Sequence, residues 1–171
     1  MAWWRSPAIP ATALVIGNPE MQDKSWELHI KSIAGALPIM LGDPRQLSPE
    51  DLAKYRGYAD WLQKMQNTHD IMSYRQDLPG FGEPAEGHWD GFQRINTETR
   101  EGGIIGIFRH GAVENERTIT IKYLDPGKTY IVRYMDGRQL ARLTGEELQK
   151  SGFRIKLDEY YAGELLEISL N

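Results

Sequence analysis

The spacing of apolar residues changes character partway along this chain. In the second half, Ile104, Ile105, Ile107 and Phe108 form a nearly unbroken run between Gly102-Gly103 and Arg109-His110. The run is too short for a helix and rich in β-branched residues. It predicts a strand buried on both faces, in the middle of a sheet. Its neighbours alternate instead, as strands with one wet face do. Trp89–Asn96 precedes it. Afterwards Ile119, Ile121 and Tyr123 face one way, while Thr118, Thr120 and Lys122 face the other. Thr129–Tyr134 and Gln139–Leu143 flank Met135-Asp136-Gly137-Arg138, whose Asp-Gly pair predicts a two-residue hairpin turn. Thr144-Gly145-Glu146-Glu147-Leu148 predicts a single helical turn, and the alternating sets Phe153, Ile155, Leu157 and Leu166, Ile168, Leu170 close the pattern. Roughly seven strands with frequent turns predict an antiparallel β-sandwich over residues 89–171.

The first half reads differently. Ala13–Gly17 is a short apolar run closed by Asn18-Pro19, consistent with a buried strand. Asp23 or Ser25 then caps a helix with Trp26, Ile30, Ile33 and Ala34 on one face, weakened near its end by Gly35. Pro38–Leu41 is a second buried strand, stopped by Gly42-Asp43-Pro44. Strand, helix and strand make the smallest unit that joins parallel strands. A second helix starts sharply, with Ser48 as N-cap, Pro49 in the first helical position and Glu50 and Asp51 in the first turn. Its stripe of Leu52, Tyr55, Ala59 and Leu62, widened by Tyr58, Trp61 and Met65, calls for a large apolar partner. The helix is expected to end near Asn67. The fold class is therefore α+β: a βαβα segment over 1–67, a Gly/Pro-rich linker or ordered loop over 68–88, and the sandwich. Two α/β units of this kind expose apolar faces that they cannot cover alone, so self-association into a homo-oligomer is also expected.

Bulk composition narrows the partners. The 171 residues carry a formal charge of −4 and a pI near 5.6, with no basic cluster, which argues against nucleic acid and anionic membranes. No run reaches the ~20 apolar residues of a membrane span, and the Met-Ala-Trp-Trp-Arg-Ser-Pro start lacks the apolar core of a signal peptide. With no cysteine, disulfides, thiolate metal sites and cysteine nucleophiles are excluded, and the choice between cytoplasm and periplasm stays open. His29, His69, His88 and His110 show no metal-binding spacing, so neither metal nor cofactor is expected. There is no Gly-x-Ser-x-Gly elbow and no phosphate-cradling loop; Gly102-Gly103 precedes a strand and reads as a turn.

Three residues remain as substrate-binding candidates. Asp43 and Arg45 follow a strand and precede a helix, where α/β folds place ligands. Asp43 can bond a sugar hydroxyl and Arg45 can pair with a carboxylate; the plainer reading makes Asp43-Pro44 a turn, with Arg45 bridging to a helix end. Asn18 and Glu20 hold the matching position after the earlier strand. Trp89, one of five tryptophans, can stack on the C–H face of a sugar or pack in the core. Trp26 and Trp61 lie on helix faces that read as core. No pair of carboxylates suited to glycoside cleavage stands out.

Taken together, Gly42-Asp43-Pro44-Arg45-Gln46-Leu47-Ser48-Pro49-Glu50-Asp51-Leu52, Trp89-Asp90-Gly91-Phe92-Gln93, Gly106-Ile107-Phe108-Arg109, Leu124-Asp125-Pro126-Gly127-Lys128-Thr129-Tyr130 and Thr144-Gly145-Glu146-Glu147-Leu148 give a layout that resembles the carboxyl-terminal end of the α-galactosidases of glycoside hydrolase family 36. The resemblance spans residues 25 to 170. It implies the last units of a (β/α)₈ barrel followed by an antiparallel domain. It also implies a non-catalytic role, since the family's Lys-Trp-Asp-like nucleophile segment and its acid/base aspartate have no counterpart here. The implied partners are the rest of a parent enzyme's catalytic barrel and carbohydrate, with the sandwich stabilising the barrel and the chain alone inactive. A stand-alone carbohydrate-binding β-sandwich is the alternative.

Overall fold

The computed structural model describes residues 13, 15–18, 26–40 and 43–171. Strands β1 (Val15–Asn18) and β2 (Leu37–Met40) pair in parallel and are joined across helix α1 (Trp26–Ile33). Helix α2 (Pro49–His69) follows. A six-stranded antiparallel sheet comes next, in the order β3 (Gln76–Asp77), β4 (His88–Ile95), β5 (Gly102–His110), β10 (Tyr161–Leu170), β7 (Thr129–Tyr134), β8 (Gln139–Thr144). Strands β6 (Glu116–Ile119) and β9 (Phe153–Lys156) form a separate antiparallel pair, and helix α3 (Gly145–Lys150) bridges β8 to β9. The architecture is α+β, without a closed barrel. The caps expected at Asp23 or Ser25, as well as Glu20, Trp3 and Trp4, lie outside the described residues.

β5 is buried on both faces, as its run of isoleucines predicts. Ile105 and Ile107 point toward β6, β9 and α3, joining Ile119, Ile121, Tyr130, Val132, Leu148, Phe153, Ile155, Leu166 and Ile168 in one core. Ile104 and Phe108 point the other way, into a second core with Phe92 and Leu165 of the sheet and Ala34, Trp61, Leu62 and Met65 of the helical layer. A third cluster locks the two helices together: Trp26 stacks on Tyr55, with ring centroids 4.4 Å apart, and meets Tyr58 edge-on at 6.2 Å. Glu27 and Lys54 pair across the same seam at 3.1 Å.

Glycines set how close the helices come to the sheet. A Cβ at Gly106 would stand 2.4 Å from the Phe92 ring, and one at Gly35 would stand 2.8 Å from the same ring, both along its Cδ1–Cε1 edge. Phe92 is therefore packed against two residues that lack side chains, one in the sheet and one in the turn after α1. Gly102 and Gly103 are not the turn expected of them. They are the first residues of β5, at φ +147° and +158°, and a Cβ on either would meet a backbone carbonyl of the next strand at 2.0 Å or less. No other residue fits there.

Buried arginines tie the layers together. Arg94 donates to the carbonyls of Ala34 and Ala36 just beyond α1 at 2.7 Å each, and to Tyr74 at 2.7 Å. Arg109 donates to the carbonyls of Ala112, Leu157 and Asp158 at 2.7–2.9 Å. Carbonyl oxygens take the place of a carboxylate partner in both cases. Burial lowers the Arg94 guanidinium pKa to about 10, so it remains charged at neutral pH.

Several expectations shift in the structure. The stripe on α2 buries Tyr55, Tyr58, Trp61, Leu62 and Met65, while Leu52 is half-buried and Ala59 is exposed. The partner of that stripe is α1 and the sheet of the same chain, so the helix faces are largely covered from within. Open ground lies instead at β1–β2: among the described residues no third strand joins the pair, and Ile39 is 42% exposed. The strand expected over Thr118–Leu124 ends at Ile119, opposite Phe153 at the start of β9; beyond it Ile121 N–H donates to the Leu148 carbonyl and Lys122 N–H to the Gln93 side chain, at 3.0 Å each. The Asp136-Gly137 hairpin forms, but four residues separate β7 from β8, and a bulge sits between Val132 and Arg133.

Candidate functional site

Gly42-Asp43-Pro44-Arg45 is the ligand position that the sequence offers, and Gly42 lies outside the described residues. Asp43 caps a single 3₁₀ turn, Pro44–Gln46, accepting from Arg45 N–H at 3.0 Å. The same carboxylate takes two bonds from the Arg45 guanidinium at 2.8 Å each, and this pairing holds the Asp43 carboxyl below the usual carboxylate range. The two side chains therefore pair with each other at the surface. Asp51 N–H then donates to Ser48 at 3.0 Å and α2 begins.

Trp89 is the third candidate. Its neighbours on β4 alternate, and its indole falls on the side of Ile105 and Ile107, where it is 5% exposed. The indole N–H donates to the Glu114 carbonyl at 3.0 Å. The structure thus separates the sequence's candidates: Asp43 and Arg45 lie next to each other at the head of α2, and Trp89 lies in the sheet core. Asn18 ends β1.

A different group of polar side chains converges on the helix side of the sheet, past the edge of the helical cover. His88 of β4 stands opposite His110 of β5, and His110 stands opposite Tyr161 of β10. Partners in register share a face, so the three rings lie in one row. Behind the row Asp90 is buried, with Oδ1 3.1 Å from His110 Nε2. The Asp90 carboxylate favours the charged imidazole and raises the His110 pKa. The contact is more electrostatic than hydrogen-bonded, since Asp90 Oδ1 has no well-aligned donor. Phe108 lies along the other flank of His110, ring centroids 6.3 Å apart. At the outer end the Tyr161 hydroxyl donates to Glu86 Oε1 at 2.5 Å. Sequence reading passed over this row because its members come from three strands, 88, 110 and 161. A histidine opposite a histidine becomes visible only when register is known.

His69, at the end of α2, is buried and sits 3.8 Å from Glu167 of β10, its Nε2 without a hydrogen-bond partner. Among the described residues no group of histidine and carboxylate side chains is arranged to hold a metal ion, and no helix is long and apolar enough to cross a membrane.

An α+β unit with helices on one side of a mid-buried antiparallel sheet, preceded by a lone parallel strand pair, is the class of structure defined so far. The same arrangement recurs in solved glycoside hydrolases. The galactosidase domain of an α-galactosidase–sucrose kinase, AgaSK, superposes on 99% of this chain with a TM-score of 0.79 at 15% identity. The family 36 α-galactosidase AgaB from Geobacillus stearothermophilus matches 95% of it, with a TM-score of 0.76 at 14% identity. A variant of the AgaA enzyme from the same organism, solved in complex with raffinose, matches 91% with a TM-score of 0.72 at 13% identity. This chain covers only 24%, 22% and 21% of those three proteins. The fold is thus that of about a quarter of a family 36 α-galactosidase. No protein-family model matches the sequence, and no curated protein does.

Proposed function

We propose that this chain is the non-catalytic carboxyl-terminal region of an α-galactosidase-like glycoside hydrolase. On this reading residues 1–67 are the last barrel units, 68–88 the crossing and 89–171 the accessory sheet domain that stabilises the barrel. The supporting observation is that nearly the whole chain superposes on about a quarter of AgaSK. The open parallel pair β1–β2 agrees with it: two parallel strands with no third neighbour among the described residues make a natural seat for further barrel strands. The partner is then the rest of the catalytic barrel, and the substrate of the whole enzyme is a galactoside. On this reading the contribution of the chain is mechanical. Arg94 and the seat of Phe92 fix the last helices on the sheet, and through them the strand ends that border a barrel's active site.

The reading is tested by expressing the chain alone, the segment encoded upstream of it, and the two joined. The chain alone should not hydrolyse p-nitrophenyl α-galactoside, the joined protein should, and the upstream segment alone should melt at a lower temperature. Turnover by the 171-residue chain, or an upstream segment that encodes no barrel, would overturn it.

A stand-alone carbohydrate-binding module has one observation in its favour: the helix faces are closed by the chain's own sheet, so the unit is able to fold unaided. A monomer in light scattering with no upstream coding segment would favour it; the fragment reading expects self-association through β1–β2.

A further inference from the structure

The row of rings at the outer end of β4, β5 and β10 is absorbed neither by the core nor by any cleavage chemistry. Strands in a sheet lie ~4.8 Å apart, so His88, His110 and Tyr161 span about 10 Å across three strands. The row is level, because all three residues are cross-strand partners on one face. It is open: His88 is exposed, the His110 side chain is 31% exposed and Tyr161 is 58% exposed. It is also held rigidly. Asp90 and Phe108 fix His110 from its buried side, and Glu86 pins the Tyr161 hydroxyl.

The pin needs a special backbone. Gly111, at φ +72°, lies beneath Glu86 and Tyr161, and a Cβ there would stand 2.5 Å from Glu86 Oε1. Only glycine permits this turn and leaves room for the carboxylate. Exposed tyrosines ordinarily lose rotamer freedom when a ligand arrives; this one has already lost it, and such preorganisation strengthens binding.

We propose that His88, His110 and Tyr161 form a surface platform on which a neutral oligosaccharide stacks, with the Glu86 carboxylate accepting from its hydroxyls. Flat aromatic rings match the C–H faces of pyranoses, and a fixed carboxylate beside them supplies the polar half of sugar recognition. The exposed carboxylate at the row, Glu86, selects against acidic glycans and nucleic acid. The choice of sugar as the ligand class rests in part on the α-galactosidase-like reading, but the platform is separate from any barrel active site. It takes over the stacking role that sequence reading offered to Trp89, whose ring is buried.

The test is affinity electrophoresis of the 171-residue chain in gels containing galactomannan, glucomannan or, as the acidic control, polygalacturonate. Retardation is expected in at least one neutral gel and not in polygalacturonate. Tyr161→Ala should weaken it roughly tenfold, the loss of one stacked ring. His110→Ala should also weaken it, and Tyr161→Phe, which keeps the ring but loses the bond to Glu86, should give a smaller loss than Tyr161→Ala. Tyr160→Ala should bind like the parent, because the Tyr160 ring covers Arg109, whose side of the sheet is the other one. Unchanged mobility of the parent in both neutral gels would overturn the platform, as would equal losses in Tyr160→Ala and Tyr161→Ala. Neither result touches the upstream-segment assay, so a failed platform and a failed parent reading are told apart.

Discussion

The two faces of the six-stranded sheet solve the same problem by opposite means. One face is closed by segments interleaved in sequence with its own strands: β6, β9 and α3 supply interdigitating aliphatic side chains to Ile105, Ile107 and Ile168. The other face is closed by helices that precede it, and there close approach depends on absent side chains at Gly35, Gly106 and Gly163, with Arg94, Lys31 and Asn96 making hydrogen bonds across the seam. A face filled with side chains tolerates the loss of a methylene at a predictable cost. A face that relies on missing side chains and a few polar tethers has fewer ways to adjust. This is the difference expected between a domain's own core and a seam between two layers.

That contrast can be broken by substitution. Arg94→Met removes the donor that satisfies the Ala34, Ala36 and Tyr74 carbonyls, which should cost about 3 to 5 kcal/mol. Amide exchange should accelerate in α1 while β6 and β9 stay protected; uniform acceleration would show the seam to be no weaker than the core. Gly106→Ala adds one carbon against the Phe92 ring, which is already in close contact with Gly35, and should cost about 2 kcal/mol by chemical denaturation. Ile105→Val, the matching one-carbon change on the other face, should cost about 1 kcal/mol. The ratio between these two is the sharpest test of the comparison, and a reversal would sink it. Thr144→Ala, which dismantles the capping box between Thr144 and Glu147 at the start of α3, should also cost about 1 kcal/mol, with no change in α1 exchange.

The smallest effect expected is a pH dependence on the helix side. The folded pKa of His110 lies above its unfolded value near 6.5, because of Asp90. The pair's contribution to stability is therefore complete below pH 6.5 and disappears as pH rises through the raised folded value. Melting temperature should fall between pH 6 and pH 8.5, and Asp90→Asn should flatten that slope.

Local signals were the ones the sequence carried clearly. The β-branched density of Ile104–Phe108 announced a strand with two dry faces, and Ser48-Pro49-Glu50-Asp51 announced the start of α2 to the residue. The end of α2 was less legible, because Asp70 takes the left-handed cap position at φ +53° where glycine or asparagine is the usual mark. β6 likewise stops early, at Ile119 opposite the first residue of β9, a limit that only strand register reveals. β3, only Gln76–Asp77, hid inside a stretch whose composition reads as linker. Of the candidate sites, Asp43 and Arg45 were conspicuous in sequence yet pair with each other, and Trp89 turned inward. The His88–His110–Tyr161 row was invisible for the reason that its members meet only through strand register.

The placement of β10 has a consequence for how such a chain is made. It is the last strand in sequence, yet it lies between β5 and β7, hydrogen-bonded to both. As the chain leaves the ribosome, β3-β4-β5 and β7-β8 emerge as two half-sheets with facing unsatisfied edges, and they cannot join into one sheet until β10 arrives. The interval before that wedge is inserted is when the nascent protein is most open to pairing with a neighbour's strands, and loss of β10 would make that state permanent.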